Sequence, residues 1–436
     1  MTTPLSKVSR YVVLFAAIGG LLFDGVELGL MPVASLSVSQ SLLGDAFTPA
    51  LGGDWFARFT AALMLGAAVG GICLGSLGDR IGRTRALGVS ILFYSVFAGL
   101  GGFVKTQEQM LVLRFMVGLG VGGVWPNAVA LAAECWPDKS RPIIAGLMGA
   151  ALNGGILMLS QIARTWHITP ESWRWIFQLA AAPAVLGLLA LTVIPESPLW
   201  LAALGARPDP GSAGIPAGEL HKQTSTDQDV GAPSTLRELF RPPLLRLTLI
   251  GILIGTIPMV GAWAASKWMI PWADKVGGAS EAGYKAITQG WWATGAVLGS
   301  FFGAQIAAWL GRRRAYAIIS AATTALTSLM FLGTAPLQAS FLPIVFAQGF
   351  VATLFFGWLP LYLPELFPTR VRATGSGIAY NVGRFATALG VLAAGALFSA
   401  MGGSYPKVGA TCGLIYLLGL VVIWWAPETT DKKLQE

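Results

Sequence analysis

Asp24 and Glu27 stand inside the apolar run "YVVLFAAIGGLLFDGVELGLMP". An ionised side chain at a bilayer centre costs roughly 2.5–3.5 kcal/mol on insertion scales, so a pathway or a pairing role is what retains one. Their i, i+3 spacing places both acids on one face of a helix. A rise of about 1.5 Å per residue puts Asp24 about 20 Å, and Glu27 about 24 Å, from the start of that helix. Arg114, in an apolar run of opposite direction, comes out at about 20 Å by the same rise. Asp24 is therefore the expected partner of Arg114, with Glu27 the alternative. The chemistry open to such a pair is proton uptake and release: a nearby guanidinium keeps the acid ionised, and separation lets it take a proton. A static ion pair that fixes helix packing fits the same spacing.

Arg384, in "GIAYNVGRFATALG", falls about 17 Å into its own apolar run. A guanidinium stays charged and requires an anion or carbonyls. A substrate carboxylate suits its planar fork; a backbone carbonyl, or Glu27 across a cavity, is the bland alternative. Asn127, Asn153, Gln161, Gln289, Gln348 and Asn381 could hydrogen-bond a ligand or merely bridge helices. Trp263, Trp291, Trp292, Phe355, Phe356 and Trp358 could wall an apolar ligand, although most such rings pack or sit at the interface. Lys267 reads as an anchor snorkelling to water from the outer end of its helix.

The elements that position these groups are membrane helices. Hydrophobic residues make up 54% of the 436 and charged ones 11%, against about 25% charged in soluble domains. Twelve windows are long enough to span: 11–36, 55–78, 85–104, 107–131, 142–165, 173–194, 245–272, 287–310, 315–333, 339–363, 373–401 and 405–426. They fall six and six around a Pro-, Gly- and Ser-rich segment that reads as a flexible link. The expected organisation is a first bundle over 1–194, a cytoplasmic linker over 195–243 and a second bundle over 244–436. Pro258, with Gly255 and Gly261, marks a break in the seventh helix. Gly295, Gly299 and Gly303, like Gly71 and Gly75, predict close helix packing within the chain, and a monomer is expected.

The formal charge of +8 is explained by placement. With a cytoplasmic N-terminus, most lysines and arginines fall at cytoplasmic ends and loops, which is positive-inside topology and no nucleic-acid footprint. Both termini are then cytoplasmic, and the protein sits multi-pass in the cell membrane. The N-terminal run lacks a short h-region with a cleavage site and reads as a retained first helix. Cys73, Cys135 and Cys412 are too scattered for a disulfide framework or a metal cluster. The two histidines, His167 and His221, fall in loops, and no nucleophile motif is present. An enzyme is not expected, nor any cofactor or metal. A nutrient sensor would need a larger cytoplasmic appendage than the link.

The two halves repeat one text. Glu134, Pro137 and Arg141 recur 231 positions on as Glu365, Pro368 and Arg372; Gly82-Arg83 recurs as Gly311-Arg312, and Pro195-Glu196-Ser197 as Pro427-Glu428-Thr429. A duplicated membrane unit suits two halves that rock about a central site.

"GSLGDRIGRTRAL", with Gly75, Asp79, Arg80, Gly82 and Arg83, resembles the loop between helices 2 and 3 of the major facilitator superfamily. "RFMVGLGVGG", "PESPLWLAALG" and "PETTDKKLQE" are similar to the sugar-porter branch and its metabolite and aromatic-acid symporters. The resemblance implies an all-α fold of twelve transmembrane helices in two pseudo-symmetric bundles. It implies gating by the loop residues with Glu134, Arg141, Glu365 and Arg372, and proton coupling by a helix 1 acid with Arg114. Asp24-Gly25-Val26-Glu27 resembles the acidic doublet of the aromatic-acid symporters. The paired glutamines of hexose porters are missing from "TIPMVGAWAAS", and Ala308 replaces the loop acid in the second copy. A proton-coupled symporter of a small organic anion is the expected function, with Arg384, Asn381, Asn153, Asn127 and Gln348 lining the substrate site. A sugar symporter is the alternative, and a drug antiporter a more distant one.

Overall fold

A computed structural model describes residues 6–136, 141–198, 200–201, 237–368 and 371–429, without the side chains of Asp79, Ala133, Arg141, Pro142, Ala145 and 372–374. The expected linker over 195–243 lies largely outside the described residues.

Twelve helical stretches are long and apolar enough to cross a membrane: span 1, Lys7–Ala46; 2, Pro49–Gly78; 3, Arg83–Phe103; 4, Gln107–Ala132; 5, Gly146–Thr165; 6, Arg174–Thr192; 7, Leu244–Gly277; 8, Tyr284–Leu310; 9, Arg312–Gly333; 10, Phe341–Glu365; 11, Gly375–Ala400; and 12, Tyr405–Trp425. Every sequence window falls on one of them. Local chemistry sets their ends. Thr48 Oγ1 accepts the Leu51 N–H at 3.2 Å with Pro49 in the first turn of span 2. Thr106 Oγ1 accepts the Gln109 N–H at 3.3 Å while Gln109 reaches back to the Lys105 N–H at 2.8 Å, a reciprocal cap at the start of span 4.

Span 6 differs from its single window. It is two short helices, Arg174–Leu179 and Ala184–Thr192, because Pro183 cannot donate to the carbonyl four residues back. Span 7 is longer than its window and carries a π-helical turn at Gly261–Ala265, three residues after Pro258. This is the break expected there.

The spans form two six-helix bundles. Within the second, span 8 lies on span 10 through Gly299, where an added Cβ would stand 2.0 Å from the Phe350 carbonyl oxygen. Two seams join the bundles, span 2 against span 11 and span 5 against span 8. One hydrophobic cluster, with Trp268, Trp272 and Phe398 packed among first-bundle residues such as Phe56, bridges both bundles; a second belongs to the second bundle alone.

Candidate transport site

A cavity of about 460 Å³ lies between the bundles, with Asp24, Asn153, Lys267, Asn381 and Arg384 in its wall. It reaches Ala130, Pro364 and Ser376, beside the ends of spans 4, 10 and 11 on the face that carries Gly82 and Gly311. The opposite face is shut. There Trp268 meets Phe56 at 5.2 Å and Phe398 at 5.0 Å between ring centroids. Lys285 Nζ donates to Ser37 Oγ of the other bundle at 3.1 Å and to Asp274 Oδ2 at 3.0 Å. A chamber closed at one face and reaching the other is one state of alternating access.

Arg114 and Glu27, each 1% exposed, are paired: Nη1 donates to Oε2 at 3.0 Å, and Nη2 to the Glu27 carbonyl oxygen at 3.3 Å. This corrects the expectation that Asp24 is the arginine's partner. Depth alone admits either acid, but a step of three residues also turns the helix by about 60°. That turn aims Glu27 at span 4 and Asp24 at the cavity. Asp24 Oδ1 is buried and has no hydrogen-bond partner among the described residues. The two acids thus hold separate positions, one locked and one facing the chamber.

Arg384 Nη1 donates across the seam to the Ala67 carbonyl oxygen at 3.0 Å, and its guanidinium lies 5.2 Å from the Tyr380 ring centroid. One of its five N–H donors thus takes the bland role foreseen, a backbone carbonyl. Glu27 is engaged elsewhere, and Arg384 makes no salt bridge among the described residues. Asn381, three residues away, shares its face of span 11, and both crowd Gly71, where a Cβ would come within 2.7 Å of Asn381 Oδ1. Asn153 Nδ2 donates to Ser300 Oγ at 2.8 Å across the other seam.

Two expected substrate ligands are not in the cavity wall. Asn127 Nδ2 donates to the Leu74 and Gly123 carbonyl oxygens at 3.0 and 2.8 Å, tying span 4 to span 2. Gln348 accepts from Trp292 Nε1 at 2.8 Å and donates to Ser266 Oγ and Thr327 Oγ1 at 2.6 and 3.2 Å. Their amides are used in holding helices together. Of the candidate aromatics, Trp263, Trp292 and Phe356 line the cavity, while Phe355 and Trp358 pack on Tyr316. Sequence reasoning missed Trp125 and Tyr380, which face each other from the two bundles at 6.5 Å with rings 11° from parallel. It also misplaced Lys267, which is 1% exposed and lines the cavity.

On the Gly82 and Gly311 face the repeated text folds into two matching clusters. Arg83 Nε lies 3.1 Å from Glu134 Oε1, and Ser197 Oγ donates to Glu134 as well. Arg312 pairs with Glu365 at 2.9 Å, and Thr429 Oγ1 donates to Glu365 at 2.5 Å. Glu196 accepts the Thr84 N–H at 2.9 Å, and Glu428 accepts the Arg312 and Arg313 N–H groups at 3.0 and 3.1 Å. Each glutamate caps, from a distant point in the chain, the start of span 3 or span 9, where the helix dipole favours a negative charge. Gly82 has φ 107° and Gly311 φ 85°, and a Cβ on Gly82 would come within 2.1 Å of Glu196 Oε2. Only glycine permits both the turn and the approach. Gly75 packs on Pro126 and Arg80 is exposed. Asp79, Arg141 and Arg372 lie outside the described side chains.

Twelve spans in two bundles around a chamber shut at one face define a secondary transporter. A family model described as "Sugar (and other) transporter" matches residues 12–436, and the chain belongs to that family of the major facilitator superfamily. It is 29% identical to a cis,cis-muconate transport protein of Acinetobacter baylyi, over 91% of this chain and 89% of that one. It is 28% identical to a gallate transporter of Pseudomonas putida, over 90% and 86%. The fold matches the inward-open xylose transporter of E. coli with a TM-score of 0.70 at 20% identity, covering 98% of each chain.

Proposed function

We propose that the protein takes up a small organic anion together with protons, by rocking its two bundles about the central cavity. The observation that carries this reading is the cavity's pairing of opposite tasks. Asp24 faces it as an acid that can gain and lose a proton, and Arg384 faces it as a cation that makes no salt bridge among the described residues. Loading a carboxylate on Arg384 while a proton sits on Asp24 compensates both groups, which matters once the chamber closes and an uncompensated charge is costly. The relatives named for muconate and gallate, both carboxylates, support the substrate class. A sugar is supported less, since Asn127 and Gln348 spend their amides on helix contacts.

The clusters around Glu134 and Glu365 act as gate clamps. Each ties helix ends on the face toward which the cavity reaches, so their loosening accompanies closure there. Basic residues such as Arg80, Arg83, Arg312 and Arg313 crowd that face, which makes it cytoplasmic, with both termini on the same side. A single copy suffices, because the cavity is completed by the two halves of one chain.

The test is uptake into proteoliposomes under an imposed inward proton gradient, comparing gallate, cis,cis-muconate and xylose. Accumulation of a carboxylate, lost on collapsing the gradient, is the expected result. Accumulation of xylose alone would replace the anion reading with the sugar one.

A further inference from the structure

Lys267 is a buried cation in the cavity wall that the pairing of Glu27 with Arg114 and the anchoring by Arg384 leave unused. Its Nζ has no hydrogen-bond partner among the described residues. It lies 3.4 Å from the Trp292 ring centroid and 5.7 Å from that of Trp263. In the π-helical turn just before it, the Gly261 carbonyl accepts from Ser266 Oγ and the Ala264 carbonyl from Trp268 Nε1, so these serve other donors. An ammonium carries three donors, and ring faces satisfy its charge only in part. The side chain is thus held at the chamber with donors to spare.

Counting charge around the chamber shows what would satisfy it. Glu27 and Arg114 cancel each other. With Lys267 protonated, Arg384 and Lys267 are both positive, and Asp24 is neutral once it carries a proton. A single carboxylate then leaves one cation uncompensated, whereas two carboxylates leave none. Lys267 projects from span 7 and Arg384 from span 11, and the same cavity wall includes the apolar Met259 and Trp263. We propose that Lys267 and Arg384 each hold one carboxylate of a dicarboxylate whose apolar middle lies against the tryptophans. The loaded, protonated chamber is then electrically neutral, which favours the closed state that must cross between faces. This assignment rests on the organic-anion reading and narrows it to dianions.

Calorimetric titration of the purified full-length protein with cis,cis-muconate, terephthalate and the monomethyl ester of each tests it. The diacids should bind the wild type at least about tenfold more tightly than their half esters, the scale of one charge-assisted hydrogen bond. Lys267→Gln should remove that gap by weakening the diacids alone, and Lys267→Arg should keep most of it. Equal binding of diacid and half ester by the wild type would overturn the Lys267 assignment while leaving the anion reading intact, and needs no variant to fold. Equal weakening of both ligand types by Lys267→Gln would overturn it too. Failure of all four carboxylates to bind would overturn the assignment and the anion reading together.

Discussion

Three residues apart on one helix, Asp24 and Glu27 face different partners, and their substitutions should differ accordingly. Asp24→Asn removes the titratable group facing the cavity while keeping its shape. It should abolish accumulation driven by a pH gradient yet preserve substrate counterflow, measured in the same vesicles. Glu27→Gln instead strands Arg114 in the bundle interior. Removing one partner of a buried pair costs about 3–5 kcal/mol, so this variant should lose most of its monodisperse protein on size-exclusion chromatography. Arg384→Lys keeps a cation and loses the fork; a charged hydrogen bond is worth about 1.5–3 kcal/mol. Carboxylate affinity should therefore fall about ten- to a hundredfold by titration.

The sequence made the presence of these charges legible, because an ionisable residue in an apolar run is conspicuous. Which acid meets Arg114 was not legible, since depth follows from counting while facing depends on rotation and tilt set by packing. Asn127 and Gln348 show the same limit. An amide bonds a carbonyl on the next helix as readily as a ligand, and nothing in its type says which.

At the scale of elements, the duplicated text proved the most informative signal. Glu134 and Glu365, 231 residues apart, each meet an arginine that follows a left-handed glycine. The trans caps of Glu196 and Glu428 give the repeat a physical reason, because spans 3 and 9 begin directly after a turn with no capping side chain of their own. Glu428→Ala should cost about 0.5–2 kcal/mol, the usual worth of a helix cap, and lower the midpoint of thermal unfolding in detergent. Lys267 shows where element boundaries misled. The seventh window ends at 272, but the span runs on to Gly277. Lys267 is thus ten residues, or about 15 Å, from the end of its span, too deep to snorkel out at that end.

At the scale of the molecule, the far face is held shut by contacts that belong to one state only. Lys285 ties span 8 to Ser37 of span 1, and Trp268 wedges between Phe56 and Phe398. Lys285→Ala removes the polar tie without touching the cavity. It should raise the labelling rate of a cysteine introduced at the neighbouring half-buried Leu36, with Ser37 kept, read by maleimide modification in vesicles. The two-bundle fold followed from composition and repeat alone, but the closed face did not, since no sequence feature records which of two states is populated.

The central claim is that protons and an organic anion move together through this chamber. The most direct measurement traps a pH-sensitive dye inside proteoliposomes and adds substrate outside with no gradient imposed. Adding cis,cis-muconate should acidify the interior at a rate that rises as the external pH is lowered, because protonation of Asp24 accompanies loading. Asp24→Asn should give no acidification, and xylose none with the wild type. Carboxylate entry without any internal pH change, or acidification driven by xylose alone, would contradict the claim.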